Sequence, residues 1–128
     1  MATAPTRRFP DDAESIRRPP HSIESEQAVL GGLMLDASAW DAVADIILAG
    51  DFYRRDHQLI FAAIADLVEN RSPCDAITIS EALQRKGQLD EAGGLAYLAR
   101  IARDTPSAAN VRAYANIVRD HSLLRQLV

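Results

Sequence analysis

Cysteine and lysine are almost absent from this sequence, which has one of each among its 128 residues. The lone cysteine, Cys74, cannot form a disulfide within the chain, and it excludes a zinc site built from several thiolates. No apolar run approaches the roughly 20 residues that a membrane-spanning helix needs. The N-terminus also lacks the apolar stretch of a secretory signal. We therefore expect a protein of a reducing cytoplasm, with no membrane partner.

An excess of positive charge is missing as well. Fourteen lysines and arginines stand against eighteen aspartates and glutamates, which gives a formal net charge of -4. Nonspecific affinity for nucleic acid depends on cations that neutralise phosphates, so this balance argues against a chain that mainly coats DNA or RNA. The composition, with 48% hydrophobic and 25% charged residues, is that of an ordinary globular domain.

Motifs for catalysis are not found in the sequence. No stretch has the G-x-x-x-x-G-K-[ST] pattern, because the single lysine, Lys86, precedes its glycine, Gly87. The three histidines, at 21, 57 and 121, lie far apart and show no metal-binding spacing. We therefore predict no catalytic residue, no cofactor-binding residue and no metal ligand in this chain.

The first twenty residues differ from the rest, because they contain four of the six prolines and few large apolar side chains. Such a segment cannot offset the entropy lost on ordering, so we predict that residues 1–20 form a flexible leader. The four arginines of this segment leave a nucleic-acid-binding arm as a weaker alternative.

Helical periodicity dominates the chain from residue 21 onwards. We predict a first helix over about 23–35, capped by Ser22 with acidic residues in its first turn, and a third over about 54–69. Between them lies a second helix, capped by Asp36 or Ser38. Gly31 and Gly32 in the first helix indicate close approach of another helix.

The stretch 76–79 could form a strand on propensity alone. We favour a helix opened by a capping box of Thr78 and Glu81 and running to Lys86, because no partner strand is evident nearby. A further helix follows the Gly93-Gly94 turn and ends near Arg103.

The last helix carries a row of residues at heptad spacing, namely Asn110, Tyr114, Ile117, His121, Leu124 and Val128. With the helix before it, we predict an antiparallel helical hairpin. Its narrow apolar seams can pack against a second copy of the chain or fold back onto their own domain, and the spacing leaves both open. No stop signal follows the last helix, so we expect the native protein to continue beyond Val128.

A family resemblance begins at residues 51–61, which read DFYRRDHQLIF. This segment resembles the N-terminal domain of the DnaB-type bacterial replicative DNA helicase. Three further segments agree and fall in the same order. They are IESEQAVLGG at 23–32, the Asp75-x-x-Thr78 step, and GGLAYL at 93–98 followed by PSAAN at 106–110 and Tyr114-Ala115.

The resemblance implies an all-α fold, with a small helical bundle over 21–88 followed by an antiparallel helical hairpin over 89–128 in the same domain. It implies that such domains pair through their hairpins and that three pairs form a collar on a hexameric ring. The ATPase motor of the family is a RecA-like C-terminal domain that uses ATP and Mg²⁺ and lies beyond a linker. This segment would therefore not be an enzyme, whereas its parent protein would unwind duplex DNA.

The resemblance also assigns residues and partners. The implied self-association surface comprises Leu95, Leu98, Tyr114, Ile117, His121, Leu124 and Val128. The family-motif residues, which we interpret as packing, are Phe52, Tyr53, His57, Ile60 and Phe61. The implied partners are a second copy of the chain, DNA primase (with no residues assigned) and helicase-loading proteins. The implied location is the replication fork in the bacterial cytoplasm, and DNA would be bound mainly by the parent protein.

Two other functions stay open. One is a stand-alone helical adaptor or loading factor that ends near residue 128, and the other, less favoured, is a small helical DNA-binding protein.

Overall fold

Six α-helices and two short 3₁₀ turns build the chain in the computed structural model, which describes residues 19–127. The helices are α1 (Ile23–Leu35), α2 (Trp40–Ala44), α3 (Arg55–Glu69), α4 (Ala76–Arg85), α5 (Gly94–Asp104) and α6 (Val111–Gln126), and the 3₁₀ turns are Ala37–Ala39 and Ala49–Asp51. No strand occurs in this part of the chain, so the predicted all-α class is confirmed. The leader prediction falls outside the described residues, apart from Pro19 and Pro20. Among residues 19–127, no helix combines the length and apolar character needed to cross a membrane.

Helix α1 starts and ends where the sequence places it. The Ser22 hydroxyl accepts a hydrogen bond from the Ser25 amide at 3.2 Å, which satisfies one of the free N–H groups of the first turn. The helix ends at Leu35, and the next residue, Asp36, caps the following 3₁₀ turn through the Ser38 amide. Helix α3 also lies close to its predicted range.

Helix α4 is correctly predicted as a helix, but its predicted capping box is wrong. Asp75 is the N-cap, and its carboxylate accepts from the Thr78 amide at 2.8 Å. The Thr78 hydroxyl in turn accepts from the Asp75 amide at 3.0 Å. Thr78 is therefore the third residue of the helix, and the capping box consists of Asp75 and Thr78 rather than the predicted Thr78 and Glu81.

The centre of the fold is α1, against which α5 and α6 both pack. A Cβ atom on Gly31 would lie 2.7 Å from the Thr105 Cβ and 3.0 Å from the Ile101 carbonyl oxygen. A Cβ atom on Gly32 would lie 2.9 Å from a Val111 methyl group. The two glycines therefore allow the end of α5 and the start of α6 to approach the α1 backbone, as the sequence indicates.

The last two helices pack against their own domain, but α6 does so through residues outside the heptad row. Helix α6 buries Val111, Ala115, Val118 and Ser122, and α5 buries Leu98 and Ile101. Both helices lie chiefly against α1 rather than against each other. Residues 89–127 therefore share one hydrophobic core with residues 21–88.

Candidate interaction surface

Most of the family-motif residues lie in the core. Phe52, His57, Ile60 and Phe61 are buried, and the Phe52 ring packs against the Phe61 ring with their centroids 5.0 Å apart and their planes inclined by 40°. Tyr53 is an exception to the packing interpretation, because its ring is exposed at the surface. There it stacks on the His21 ring at 4.2 Å between centroids.

His57 belongs to a buried hydrogen-bonded chain that joins three helices. Its Nδ1 lies 2.7 Å from a carboxylate oxygen of Glu26 on α1, and its Nε2 lies 2.6 Å from the Tyr97 hydroxyl on α5. The Gln27 amide donates to the same hydroxyl at 3.1 Å. Every group is satisfied when Nδ1 carries the proton and the tyrosine hydroxyl donates to Nε2. This histidine is therefore fully engaged in structure.

The Glu26 carboxylate also binds the two residues that precede α3. Its oxygens accept from the Tyr53 amide at 2.6 Å and from the Arg54 amide at 3.4 Å. These hydrogen bonds give the buried carboxylate the polar partners that a buried charge requires. Glu26 thus connects α1 to α3 and, through His57, to α5.

A second buried carboxylate, Asp51, anchors α6. It accepts from the Leu48 amide at 2.8 Å, from the Ser122 hydroxyl at 2.7 Å and from the Arg119 guanidinium at 2.9 Å. Burial acts to raise the pKa of the Asp51 carboxyl. The hydrogen bonds that it accepts, first from Leu48 and then from Ser122 and Arg119, outweigh burial and hold this pKa below its ordinary value.

We predict that Asp51 makes the chain sensitive to acid. A carboxyl whose pKa is lower in the folded state stabilises the fold above its unfolded pKa, about 3.9. That stabilisation is lost as the pH falls through the folded pKa. In urea unfolding between pH 6 and pH 2 (about the span of that titration), Asp51→Asn should lose less stability on acidification than the native chain.

The control is Asp41→Asn, at an exposed carboxylate, in which stability should depend on pH as it does in the native chain. If Asp51→Asn also shows the native dependence of stability on pH, the role assigned to Asp51 is contradicted.

The end of α6 is held by Arg125. Its guanidinium donates to the Pro20 carbonyl at 2.7 Å and to the Asp51 carbonyl at 2.6 Å. The central carbon of this guanidinium, Cζ, lies 5.4 Å from the centroid of the Tyr53 ring. With Asp51, these contacts fix the rotation of α6 about its axis, because Arg119, Ser122 and Arg125 all face the Ala49–Asp51 turn and its neighbours.

The fixed rotation leaves the heptad row on the side of α6 next to the buried face. Ile117 is 38% exposed and Leu124 is 48% exposed, whereas Tyr114 and His121 are half-buried. On a helical wheel this row lies about 110° from the centre of the buried face. We call the described members, Asn110, Tyr114, Ile117, His121 and Leu124, the α6 row. Val128, the last predicted member, lies outside the described residues.

The two α5 residues predicted for the same surface differ in their environments. Leu95 is exposed and remains a candidate. Leu98 is fully buried in the core, so its assignment to an exposed surface is corrected: the helix needs that side chain to pack against the rest of the domain. Heptad spacing alone does not distinguish a core-facing position from one at an interface.

A cleft of about 290 Å³ opens beside the first turn of α6. Its walls come from α1, from α5, from the segment 105–110 and from α6, where Asn110 and Tyr114 belong to the α6 row. Ala28 and Ile101 contribute apolar surface, while Glu24, Arg100 and Asp104 bring charge. Within residues 19–127, no group of three or more histidine, cysteine or carboxylate side chains is placed to hold a metal ion.

Cys74 has the properties of a structural thiol. It is buried, and its Sγ lies 4.0 Å from the Ile64 carbonyl oxygen. Burial, together with the neighbouring Asp75 carboxylate, raises the pKa of the Cys74 thiol, which disfavours the reactive thiolate.

An all-helical domain that leaves a row of apolar groups exposed has the features of a protein-interaction domain. The family model of the DnaB-like helicase N terminal domain matches residues 18–120. The chain therefore belongs to the DnaB-like helicase N-terminal domain family, and the resemblance found in the sequence is confirmed.

Individual relatives agree with this assignment. The replicative DNA helicase DnaB of Haemophilus influenzae is 46% identical over 129 residues, which cover 100% of this chain and 28% of that helicase. The corresponding helicase of Geobacillus stearothermophilus is 45% identical over 114 residues, covering 89% of this chain and 25% of that protein. The chain thus spans about a quarter of the length of these relatives.

Solved structures show the same fold. The crystal structure of the N-terminal domain of DnaB helicase from Mycobacterium tuberculosis superimposes with a TM-score of 0.83 at 42% identity, covering 86% of this chain and 80% of that one. The N-terminal domain of DnaB helicase from Helicobacter pylori, described with its interactions with primase, gives a TM-score of 0.70 at 26% identity over 80% of each chain.

Proposed function

We propose that this chain is the self-association and partner-docking domain of a replicative DNA helicase. Membership of the DnaB-like N-terminal family supports this function. The chain spans about a quarter of the length of the helicases that it matches, so it corresponds to one part of such a protein. The remaining part of such a helicase would bind ATP and Mg²⁺ and drive the unwinding of duplex DNA. The domain would then act in the bacterial cytoplasm, at the replication fork.

The observation that carries the self-association proposal is the division of α6 into two faces. One face, centred on Ala115 and Val118, is buried in the chain's own core. The α6 row beside it exposes Ile117 and Leu124, so a second apolar surface remains for another molecule. We infer that two copies pair through this row, with Leu95 contributing, and that three such pairs form the collar of the hexameric helicase.

We predict that Leu124→Asp weakens self-association, because an interface would have to desolvate the new carboxylate. The measurement is sedimentation velocity over a concentration series, in which this variant should remain at the monomer mass where the native chain is already dimeric. Leu123→Asp is the matched control. Leu123 is the adjacent residue, is 42% exposed and lies on a different face of the helix.

The comparison between these two variants removes general effects of the substitution. Both place the same charge in the same turn of α6, so any effect on helix stability is nearly equal. Equal dimer fractions in Leu124→Asp and Leu123→Asp would therefore count against the α6 row as the contact surface.

We also propose that DNA primase docks on this domain. The support is the family relationship to the Helicobacter pylori domain, which was described with its interactions with primase. We expect saturable binding when the chain is titrated with purified primase from the same bacterium and the heat is measured by isothermal titration calorimetry. The absence of binding at primase concentrations that saturate the full-length helicase would contradict primase docking on this domain and leave self-association untouched.

A further inference from the structure

The cleft beside the first turn of α6 has the size and the lining to hold one large apolar side chain. Its volume of about 290 Å³ lies just below the range of small-molecule pockets, roughly 300–1,000 Å³. Ala28 and Ile101 provide apolar surface in it, and Tyr114 adds an aromatic ring. A ring that enters the cleft leaves water and contacts these three side chains, which is favourable.

The mouth of the cleft carries more negative than positive charge. The charged side chains that line it are Glu24, Arg100 and Asp104. Asp104 is the last residue of α5, where the helix dipole adds partial negative charge. Arg100 and Arg103 each lie 3.7 Å from an Asp104 oxygen, which is too far for a hydrogen bond, and all three side chains are exposed. The cleft therefore favours an occupant that carries positive charge next to its apolar group.

The leader contains a segment with this combination. Residues 7–10 read Arg-Arg-Phe-Pro, and Phe9 is the only aromatic residue among the first twenty. The ring of Phe9 fits the apolar floor of the cleft, and the two arginines fit its acidic mouth. Proline restricts the backbone next to the ring, which lowers the entropy lost on docking. Acidic residues follow at positions 11 and 12, so the segment suited to the cleft ends at Pro10.

The path from the leader to the cleft runs around the start of α1. The guanidinium that holds the Pro20 carbonyl lies over the Tyr53 ring, and the Tyr53 amide in turn binds Glu26. Glu24 and Ala28, which line the cleft, lie on the opposite side of α1, because two residues along a helix correspond to about 200°. The leader must therefore pass halfway around a cylinder that is 10–12 Å wide, a path of about 17 Å.

Chain length selects Phe9 for this cleft. Phe9 lies eleven residues before Pro20, and an extended chain of that length spans up to about 38 Å. Ile16, the nearest large apolar residue of the leader, lies only four residues before Pro20 and can reach at most about 14 Å from it. Phe9 thus reaches the cleft with chain to spare, whereas Ile16 falls short.

We propose that the leader docks on its own domain, with Phe9 in the cleft and Arg7 and Arg8 at the acidic mouth. Residues 11–18 then form the connection around the start of α1. The docked segment covers Tyr114, which also belongs to the α6 row, so the leader controls access to one end of that surface. This contact within one chain goes beyond the function proposed above and stands whether or not two copies associate.

Nuclear magnetic resonance of the full chain tests the docking. In Phe9→Ala the amide resonances of cleft residues such as Ala28 and Ile101 should shift from their native positions. The resonances of α4, which does not line the cleft, should stay in place and show that the fold is intact. Ile16→Ala is the matched control, because it removes a large apolar side chain from the same leader, and it should leave the cleft resonances unshifted. Unshifted cleft resonances in Phe9→Ala would overturn the proposal.

A synthetic peptide of residues 4–13 tests whether the chain's own leader occupies the cleft. Titrated into Phe9→Ala, the peptide should shift the cleft resonances until they saturate, and absence of binding would contradict the fit. The native chain should need at least severalfold more peptide, because its own leader competes at an effective concentration in about the millimolar range. Equal affinities for the native chain and Phe9→Ala would show that the leader does not occupy its own cleft, and so would overturn the proposal.

Discussion

Replacement of Glu26 by alanine is expected to lower the free energy of unfolding by about 3–5 kcal/mol, the loss usual when a buried ionic or strongly polar pair is broken. The substitution leaves the buried His57 Nδ1 and the part-buried Tyr53 amide without their acceptor. It also uncouples α1 from the start of α3. Urea unfolding followed by circular dichroism measures the loss.

Glu24→Ala is the control for this prediction, because Glu24 lies in the same first turn of α1 but is exposed. Removing it costs only its interaction with the helix dipole, which is under about 1 kcal/mol. Glu26→Gln keeps one acceptor oxygen and should fall between the two. Equal losses for Glu24→Ala and Glu26→Ala would show that the buried chain contributes nothing to stability.

Gly31→Ala is expected to destabilise the fold by about 2–3 kcal/mol, although alanine is the better helix former by up to about 1 kcal/mol. The new methyl group would lie 2.7 Å from the Thr105 Cβ and 3.0 Å from a backbone oxygen of α5, so α1 and α5 would have to separate. Thermal unfolding of the variant should show the loss as a lower midpoint temperature.

Two further variants identify the cause. Gly50→Ala is the control, because its Cβ would meet no atom within 4 Å, and it should leave the midpoint almost unchanged. Thr105→Gly combined with Gly31→Ala should recover part of the loss relative to the sum of the single variants, since the main obstructing side chain is removed. Gly31→Ala at or above native stability would contradict the close approach of α1 and α5.

The helices could largely be predicted from the sequence, because their signals are local. Ser22 marks the start of α1, and the apolar spacing of α3 matches one face of a 3.6-residue helix. The capping box of α4 was misplaced for a local reason too, since both Asp75 and Thr78 are good N-cap residues and spacing alone does not choose between them.

The buried polar contacts could not be predicted, because their partners are distant in sequence. His57 lies 31 residues from Glu26, and Asp51 lies 71 residues from Ser122. The sequence presents Glu26 only as an acidic residue in the first turn of a helix, which is a common feature of exposed helices. Its position three and four residues before Val29 and Leu30 is the one local sign that its side chain shares their face of the helix.

The candidate surface was partly predictable. Heptad spacing identifies the α6 row, in which Ile117 and Leu124 are exposed in the structure. The same spacing does not show that a second set of residues, including Ala115 and Val118, forms the core-facing side. Leu98 was misassigned because an apolar residue at a regular position looks the same in sequence whether it contacts its own domain or another copy.

Sedimentation equilibrium of the unmodified chain tests the central claim, which is that the α6 row is a surface for a second copy. The account predicts an average mass that rises with concentration from the 14.0 kDa of one chain towards twice that value. It also predicts that Leu124→Asp abolishes the rise and that Leu123→Asp does not. A mass that stays at that of one chain over the whole concentration range would contradict the account.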